Sequence, residues 1–317
     1  MDIVFFTGKG GVGKSSLAAA TAWQLAQSRR VRLVSLDPAH NLGDIFGVSL
    51  KKKTFFTERL CLEEIDLKKR TQAYLKQEIE VFNETYKYLQ VLNLDKYFSV
   101  LKYSPGIEEY ALLNSIEEIV RSADGSDYVI FDTPPTGLTL RFLALPRVSV
   151  TWIDRLTGIR RTILEKCHTI HRICGPQSSG ETLLDYDEQD DRILQRLISL
   201  HQRYHELDKL LQGKACRIAV VFNPDLLSLR ETERLIQALG ELNLPLSLLI
   251  DNKITDQNQS MAGRVEGRVR QLSGAPLLRV PLCQNLADNN ESKLYEVDAD
   301  LAAWFEGRAR PTENTKG

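Results

Sequence analysis

The sequence predicts an α/β protein whose doubly wound, mostly parallel sheet carries an inserted α-helical subdomain. Three observations lead there. An apolar run, Ile3-Val4-Phe5-Phe6, passes through a glycine-rich loop into an Ala-rich helix former, Leu17 to Ala26. Two more apolar runs, Val31 to Leu36 and Tyr128 to Phe131, end on the acids Asp37 and Asp132. Strand and helix patterns then alternate again from Cys216 to Phe305, which implies a parallel sheet covered on both faces.

The loop is the most specific of these. Residues 8 to 15 read Gly-Lys-Gly-Gly-Val-Gly-Lys-Ser between a strand and a helix, the context of a phosphate-binding loop. Gly8, Gly10, Gly11 and Gly13 let backbone N–H groups turn inward toward phosphates, and the following helix adds its positive dipole end. With Val12 and Ser16 they complete the expected nucleotide-binding set. Lys14 would reach the β- and γ-phosphates, and the Ser15 hydroxyl would sit on Mg²⁺. The fold expected is therefore a P-loop NTPase. Lys9 is a second lysine in the loop. It is either a solvated surface group or a charge that serves a phosphate bound to another subunit, and the loop alone does not decide.

Along the chain, residues 14 to 28 read as a helix and Val31 to Leu36 as a buried strand. Asp37-Pro38-Ala39-His40-Asn41-Leu42-Gly43-Asp44 is rich in turn formers, and its first carboxylate lies where ligands bind in parallel sheets. Residues 66 to 122 carry helical periodicity. Asp132 ends the next strand in the Walker B manner, where a carboxylate holds Mg²⁺, usually through water; the structural alternative is a helix N-cap. Thr133-Pro134-Pro135-Thr136-Gly137 is expected to be irregular. Residues 151 to 212 are again helical, with a polar break at Gly175 to Gly180. Strands follow at Cys216 to Phe222, Leu246 to Ile250 and Leu277 to Val280. Helices are expected at Leu229 to Leu239, Gly263 to Leu272 and Leu294 to Phe305. This organisation reads as a single ATPase domain over 1–307, a helical subdomain built from about 60–122 and 147–212, and a disordered tail at 308–317.

Composition bounds the partners. The chain has 317 residues and a net charge of −1, with Lys+Arg 41 against Asp+Glu 42, which gives no basis for nucleic-acid binding. No apolar run approaches a membrane span, no cleavable signal is visible, and the five cysteines form no CxxC. A cytoplasmic location is expected.

Taken together, the motifs resemble the arsenical-pump and tail-anchored-protein-targeting ATPases, the ArsA/Get family, relatives of MinD and ParA with a deviant Walker A motif. The matching stretches are residues 9 to 15, 37 to 44, 132 to 137 with Leu140 to Leu143, Leu229 to Arg234, Ile250 to Lys253, and Val280 to Leu282. The resemblance implies an ATP-hydrolysing, Mg²⁺-dependent homodimer that opens and closes with nucleotide. Lys9 would cross the dimer interface to the partner's ATP. Asp37 would orient the attacking water within a switch I that includes Pro38, His40, Asn41 and Asp44. Residues 132 to 137 would form switch II, with Lys14, Lys9 and Asp37 catalytic. Asn252 would bond adenine, with Pro281 and Leu282 lining the base pocket; read alone, Asn252 is an ordinary turn residue.

The departures concern what the ATPase serves. The stretch between Asn252 and Pro281 has no cysteine, so a zinc-stapled dimer is not expected. Targeting members use a Met-rich groove, whereas this chain has Met 2, at Met1 and Met261, and its helical blocks are rich in Leu, Ile, Tyr and Phe. Periodicity alone favours core for most of those residues. Cys167, His171 and Cys174 share one helical face, with His168 beside them; they are either packed small residues or a soft-metal or metalloid site. Switch II reads Asp-Thr-Pro-Pro, stiffer than the Asp-Thr-Ala-Pro common in relatives. The reading preferred is capture and release of a hydrophobic client helix or membrane partner. The alternatives are an energising subunit for arsenite efflux and a MinD-like regulatory ATPase.

Overall fold

The computed structural model describes residues 1–317 except 40, 51, 86–103, 123–124, 175–177, 180–181, 184–186, 283–294 and 309–317, and gives backbone alone for 81–85, 174, 178–179 and 182–183. Its elements in chain order are β1 (Asp2–Gly8), α1 (Lys14–Leu25), β2 (Val31–Ser35), α2 (Leu42–Phe46), β3 (Thr54–Phe55), β4 (Leu60–Glu64), α3 (Leu67–Thr85), α4 (Ile107–Arg121) and β5 (Tyr128–Asp132). There follow α5 (Thr136–Cys174), β6 (Ser178–Ser179), β7 (Thr182–Leu183), α6 (Arg192–Gln212), β8 (Cys216–Phe222), α7 (Leu226–Glu241), β9 (Leu246–Ile254), α8 (Gln259–Leu272), β10 (Leu277–Pro281) and α9 (Ala302–Phe305).

Eight strands form one sheet in the order β10-β9-β8-β1-β5-β2-β4-β3, parallel except for the β3–β4 pair. Strands buried on both faces read as continuous apolar runs, and β1 obeys this from Ile3 onward. The pleat then sorts alternate residues to opposite layers. Val4 and Phe6 pack under α1, while Ile3 and Phe5 pack in the layer that holds α4 and α7. After β1 the chain winds toward β5 and β2, and after β8 it winds the other way. The topological switch point therefore falls between β1 and β8, where ligands bind at the carboxyl ends of such sheets.

Several expected boundaries move. Thr136 and Gly137, expected to be irregular, open the 39-residue helix α5. Only Thr133 to Pro135 are irregular. Prolines are compatible with a helix start because their missing N–H is not needed there, and here the Pro135 carbonyl accepts from the Leu138 N–H at 3.1 Å. β9 runs on to Ile254, so Asn252 lies on a strand and not in a turn. The last helix spans Ala302–Phe305 alone. The Asp300 side chain accepts from the Ala303 N–H at 3.0 Å, a local bond that starts the helix late. The short pair β3–β4 was not foreseen. The expected helical segments at 86–103, parts of the polar break and residues 309–317 of the tail lie outside the described residues.

A third apolar cluster joins the long helices: Leu113 of α4, Ile153 of α5, and Tyr204 and Leu207 of α6. A part-buried ion pair links α4 to α6. Arg203 of α6 bonds Glu117 of α4 and also gives its Nη2 to Asn114 Oδ1 at 2.7 Å.

In the sheet's centre Phe5 and Phe131 stack at 4.9 Å between ring centroids, both fully buried. Phe131→Ala is expected to lower stability by about 3 to 5 kcal/mol. Urea unfolding should show a lower midpoint with an unchanged slope.

Candidate nucleotide site

β1 delivers the glycine loop to the switch point. Gly8 pairs with Val221 of β8, and a Cβ on Gly8 would stand 2.1 Å from the Val221 carbonyl oxygen. No other residue fits. Gly13 takes φ +99°, the left-handed region glycine tolerates, and becomes the N-cap of α1. The first turn of α1 receives no side-chain cap. Its N–H groups are thus left to an anion, the arrangement that binds phosphate at helix N-termini.

Lys14 is buried, and its Nζ donates to the Lys9 carbonyl at 3.2 Å. Burial pulls its pKa below the ordinary lysine value, against the carboxylates of Asp132, Asp37 and Glu231 that favour its charge. Asp132 is fully buried at the end of β5. Burial pushes its carboxyl up to about 6, opposed by the Ser15 hydroxyl and the Lys14 ammonium. The Ser35 hydroxyl reaches Asp132 Oδ2 at 3.5 Å. Among the described residues, Asp132 Oδ1, Thr7 Oγ1 and Thr136 Oγ1 are buried without a hydrogen bond of normal geometry. Orphaned acceptors and hydroxyls are costly unless a ligand completes them. A hydrated Mg²⁺ beside Ser15 and Asp132 fits this gap, because it keeps several waters and takes oxygen ligands.

Asp37 is half-buried just past β2, and its Oδ1 accepts from the Ala39 N–H at 3.0 Å, which ties the turn after that strand. It lies near enough to act electrostatically on both Lys14 and Asp132. Pro38, Asn41 and Asp44 are exposed, and His40 lies outside the described residues. Past β5, Thr133 Oγ1 donates to the Phe6 carbonyl at 2.9 Å, and Thr139 Oγ1 to the Pro134 carbonyl at 2.7 Å. These bonds tie β5 to β1 and to the start of α5. Lys9 is partly exposed.

On the other flank, Asn252 Nδ2 donates to the Val12 carbonyl at 2.8 Å, and Lys253 Nζ to the Gly11 carbonyl at 2.7 Å. Asn252 therefore abuts the loop directly, and its Oδ1 remains able to accept. Pro281 ends β10, and the exposed Leu282 gives its N–H to Ile254 at 2.8 Å. The cysteine face is less complete. Cys167 is half-buried on α5, the Cys174 side chain lies outside the described residues, and no group of three or more His, Cys, Asp or Glu positioned for a metal occurs among the described residues.

Four residues near this site were missed as participants: Thr7, Ser35, Glu231 and Lys253. Thr7 and Ser35 sit at strand ends beside the loop, a placement that topology supplies and sequence spacing does not. Glu231 lies in the stretch Leu229 to Arg234, recognised by resemblance but given no role. A Cβ on Gly13 would meet Asn252 Nδ2 at 2.4 Å. Gly13→Ala is therefore expected to weaken ATP binding at least about tenfold, from roughly 1 to 3 kcal/mol of backbone strain added to the displaced amide. Titration with a fluorescent ATP analogue measures it.

Comparison with known proteins agrees with this geometry. The profile of the anion-transporting ATPase family, ArsA_ATPase, matches residues 1–272. A protein of Aquifex aeolicus with the provisional name arsenical pump-driving ATPase 2 is 30% identical over 260 residues, covering 81% of this chain and 82% of that protein. A protein of Aspergillus terreus named ATPase get3 is 31% identical over 260 residues, covering 79% of this chain and 72% of that protein. The P-loop at the switch point and these matches lead to one conclusion: the chain belongs to the ArsA family of anion-transporting ATPases, and it is an ATPase.

Proposed function

We propose that the chain is an ATP- and Mg²⁺-dependent homodimeric switch that captures and releases a hydrophobic helix of a client membrane protein. One observation carries the client reading. The long helix α5 presents an exposed apolar stripe: Trp152, Leu156, Ile159, Ile163, Ile170 and Ile173 recur at helical spacing and are all exposed, Trp152 at 66%, Ile159 at 58% and Ile173 at 77%. The adjoining face of the same helix buries Ile153 and Leu164. Exposed contiguous apolar surface marks an interaction site, and an apolar helix in a groove is a recurring mode of capture. No helix among the described residues is long and apolar enough to cross a membrane, so this stripe is not read as a span.

The chemistry proposed needs no covalent step. Lys14 and the loop N–H groups hold the phosphates, and Ser15 with Asp132 holds Mg²⁺, the aspartate through water. Asp37 orients the attacking water, and Lys9 adds charge from the partner subunit. Asn252, Pro281 and Leu282 contact the base. Switch II couples the γ-phosphate to α5, since Asp132 ends β5 only four residues before Thr136 opens that helix. A cytoplasmic site of action follows from this reading.

Lys9→Ala is expected to keep much of the nucleotide binding and to lose most ATP hydrolysis. Equal turnover by Lys9→Ala and wild type would refute the role in trans, whereas Lys14→Ala is expected to lose hydrolysis outright. For the client, Asp37→Asn protein purified with ATP is expected to bring down apolar-tailed membrane proteins. Trp152→Ser with Ile159→Ser should abolish that recovery while leaving ATP turnover within about twofold. If arsenite instead stimulates turnover, and Cys167→Ser with Cys174→Ser removes the stimulation, the arsenite-efflux reading replaces this one.

A further inference from the structure

Asp251 belongs to none of the roles above. It is fully buried on β9, and among the described residues neither of its carboxylate oxygens has a hydrogen-bond donor. The group facing it from α8 is another buried carboxyl, Glu266, close enough for a carboxyl–carboxyl hydrogen bond. Two carboxylates have no donor between them, so such a bond exists only when one is protonated. On β10 the register partner of Asp251 is Arg279, which gives Nε and Nη2 to the two Glu266 oxygens at 2.6 and 2.8 Å. The arginine thus neutralises Glu266 and leaves Asp251 to hold the proton. From the start of α7, Asp225 adds further negative field. Burial, followed by the Glu266 charge, pushes the Asp251 carboxyl up to about 8.

The next two residues of β9 are the ones that hold the loop. The pleat turns Asp251 toward α8 and Asn252 toward Val12, and Lys253, at a left-handed φ of 62°, reaches Gly11. We propose that Asp251 is a positioning residue for the nucleotide site: a proton shared with Glu266 seats the end of β9, so that Asn252 and Lys253 hold the phosphate-binding loop in its binding geometry, and loss of that proton loosens the loop. This rests on residues 8 to 16 being the nucleotide site. A carboxyl raised in the folded state stabilises the fold at low pH and loses that contribution as pH climbs toward its folded value. Nucleotide affinity is therefore expected to fall on the alkaline side.

The test is titration of the full chain with a fluorescent ATP analogue and Mg²⁺ between about pH 6.5 and about pH 9. Wild-type affinity is expected to weaken about fivefold across this range, the change produced by about pH 9 when binding raises a carboxyl of about 8 by about one. Asp251→Asn, neutral throughout, is expected to bind with the same affinity at both ends. Glu266→Gln, which removes the like charge and offers a donor, is expected to move the midpoint at least about one pH unit lower, and it serves if Asp251→Asn does not fold. A flat wild-type profile, the same profile in wild type and Asp251→Asn, or an unmoved midpoint in Glu266→Gln, overturns the inference while leaving the loop's assignment intact. A wild type that binds no analogue at any pH overturns the loop assignment, and the inference with it.

Discussion

The close approach of two backbones at the switch point is the constraint on which the site depends. Because Gly8 leaves only 2.1 Å between a notional Cβ and the Val221 carbonyl, β1 and β8 pack tightly enough to aim the loop across the carboxyl end of the sheet. The loop then turns at Gly13 into α1, and β9 clamps it through Asn252 and Lys253. Strand, loop, helix and clamp each hold one side of the same short segment.

Charge is concentrated where that segment is buried. Lys14 and Asp132 lie out of water within reach of one another, with Ser15, Ser35 and Asp37 around them. A buried charge is tolerated when a partner or ligand completes it, and the orphaned Asp132 oxygen and the Thr7 and Thr136 hydroxyls are the incomplete part. The same accounting singles out Asp251, whose neighbours are mainly of its own sign. Buried ionisable groups of this kind cluster at functional sites more often than chance.

The helices carry a different economy. α4 buries Leu112, Leu113, Ile116 and Ile119, as its periodicity implies. α5 has a comparable pattern, yet from Trp152 onward its apolar stripe is exposed. Periodicity says which residues share a face and is silent on whether another element covers it. The preference for core therefore held for α4 and failed for much of α5. Methionine scarcity did not remove an apolar surface, because Ile, Leu and Trp supply it.

By itself the sequence determined the fold class, the glycine loop between the first strand and helix, and the acids at the strand ends. Those signals are local: buried parallel strands are continuous apolar runs, glycine alone fits the loop's backbone, and strand–loop–helix order is written in consecutive residues. Only the tertiary structure decided the rest. It carried β9 past Ile250 so that Asn252 meets Val12, 240 positions away. It also opened α5 directly after Pro135 and brought Asp251, Glu266 and Arg279 together from two strands and a helix. Each of these rests on register or packing between distant segments, and register is set by the whole sheet and not by any stretch of it.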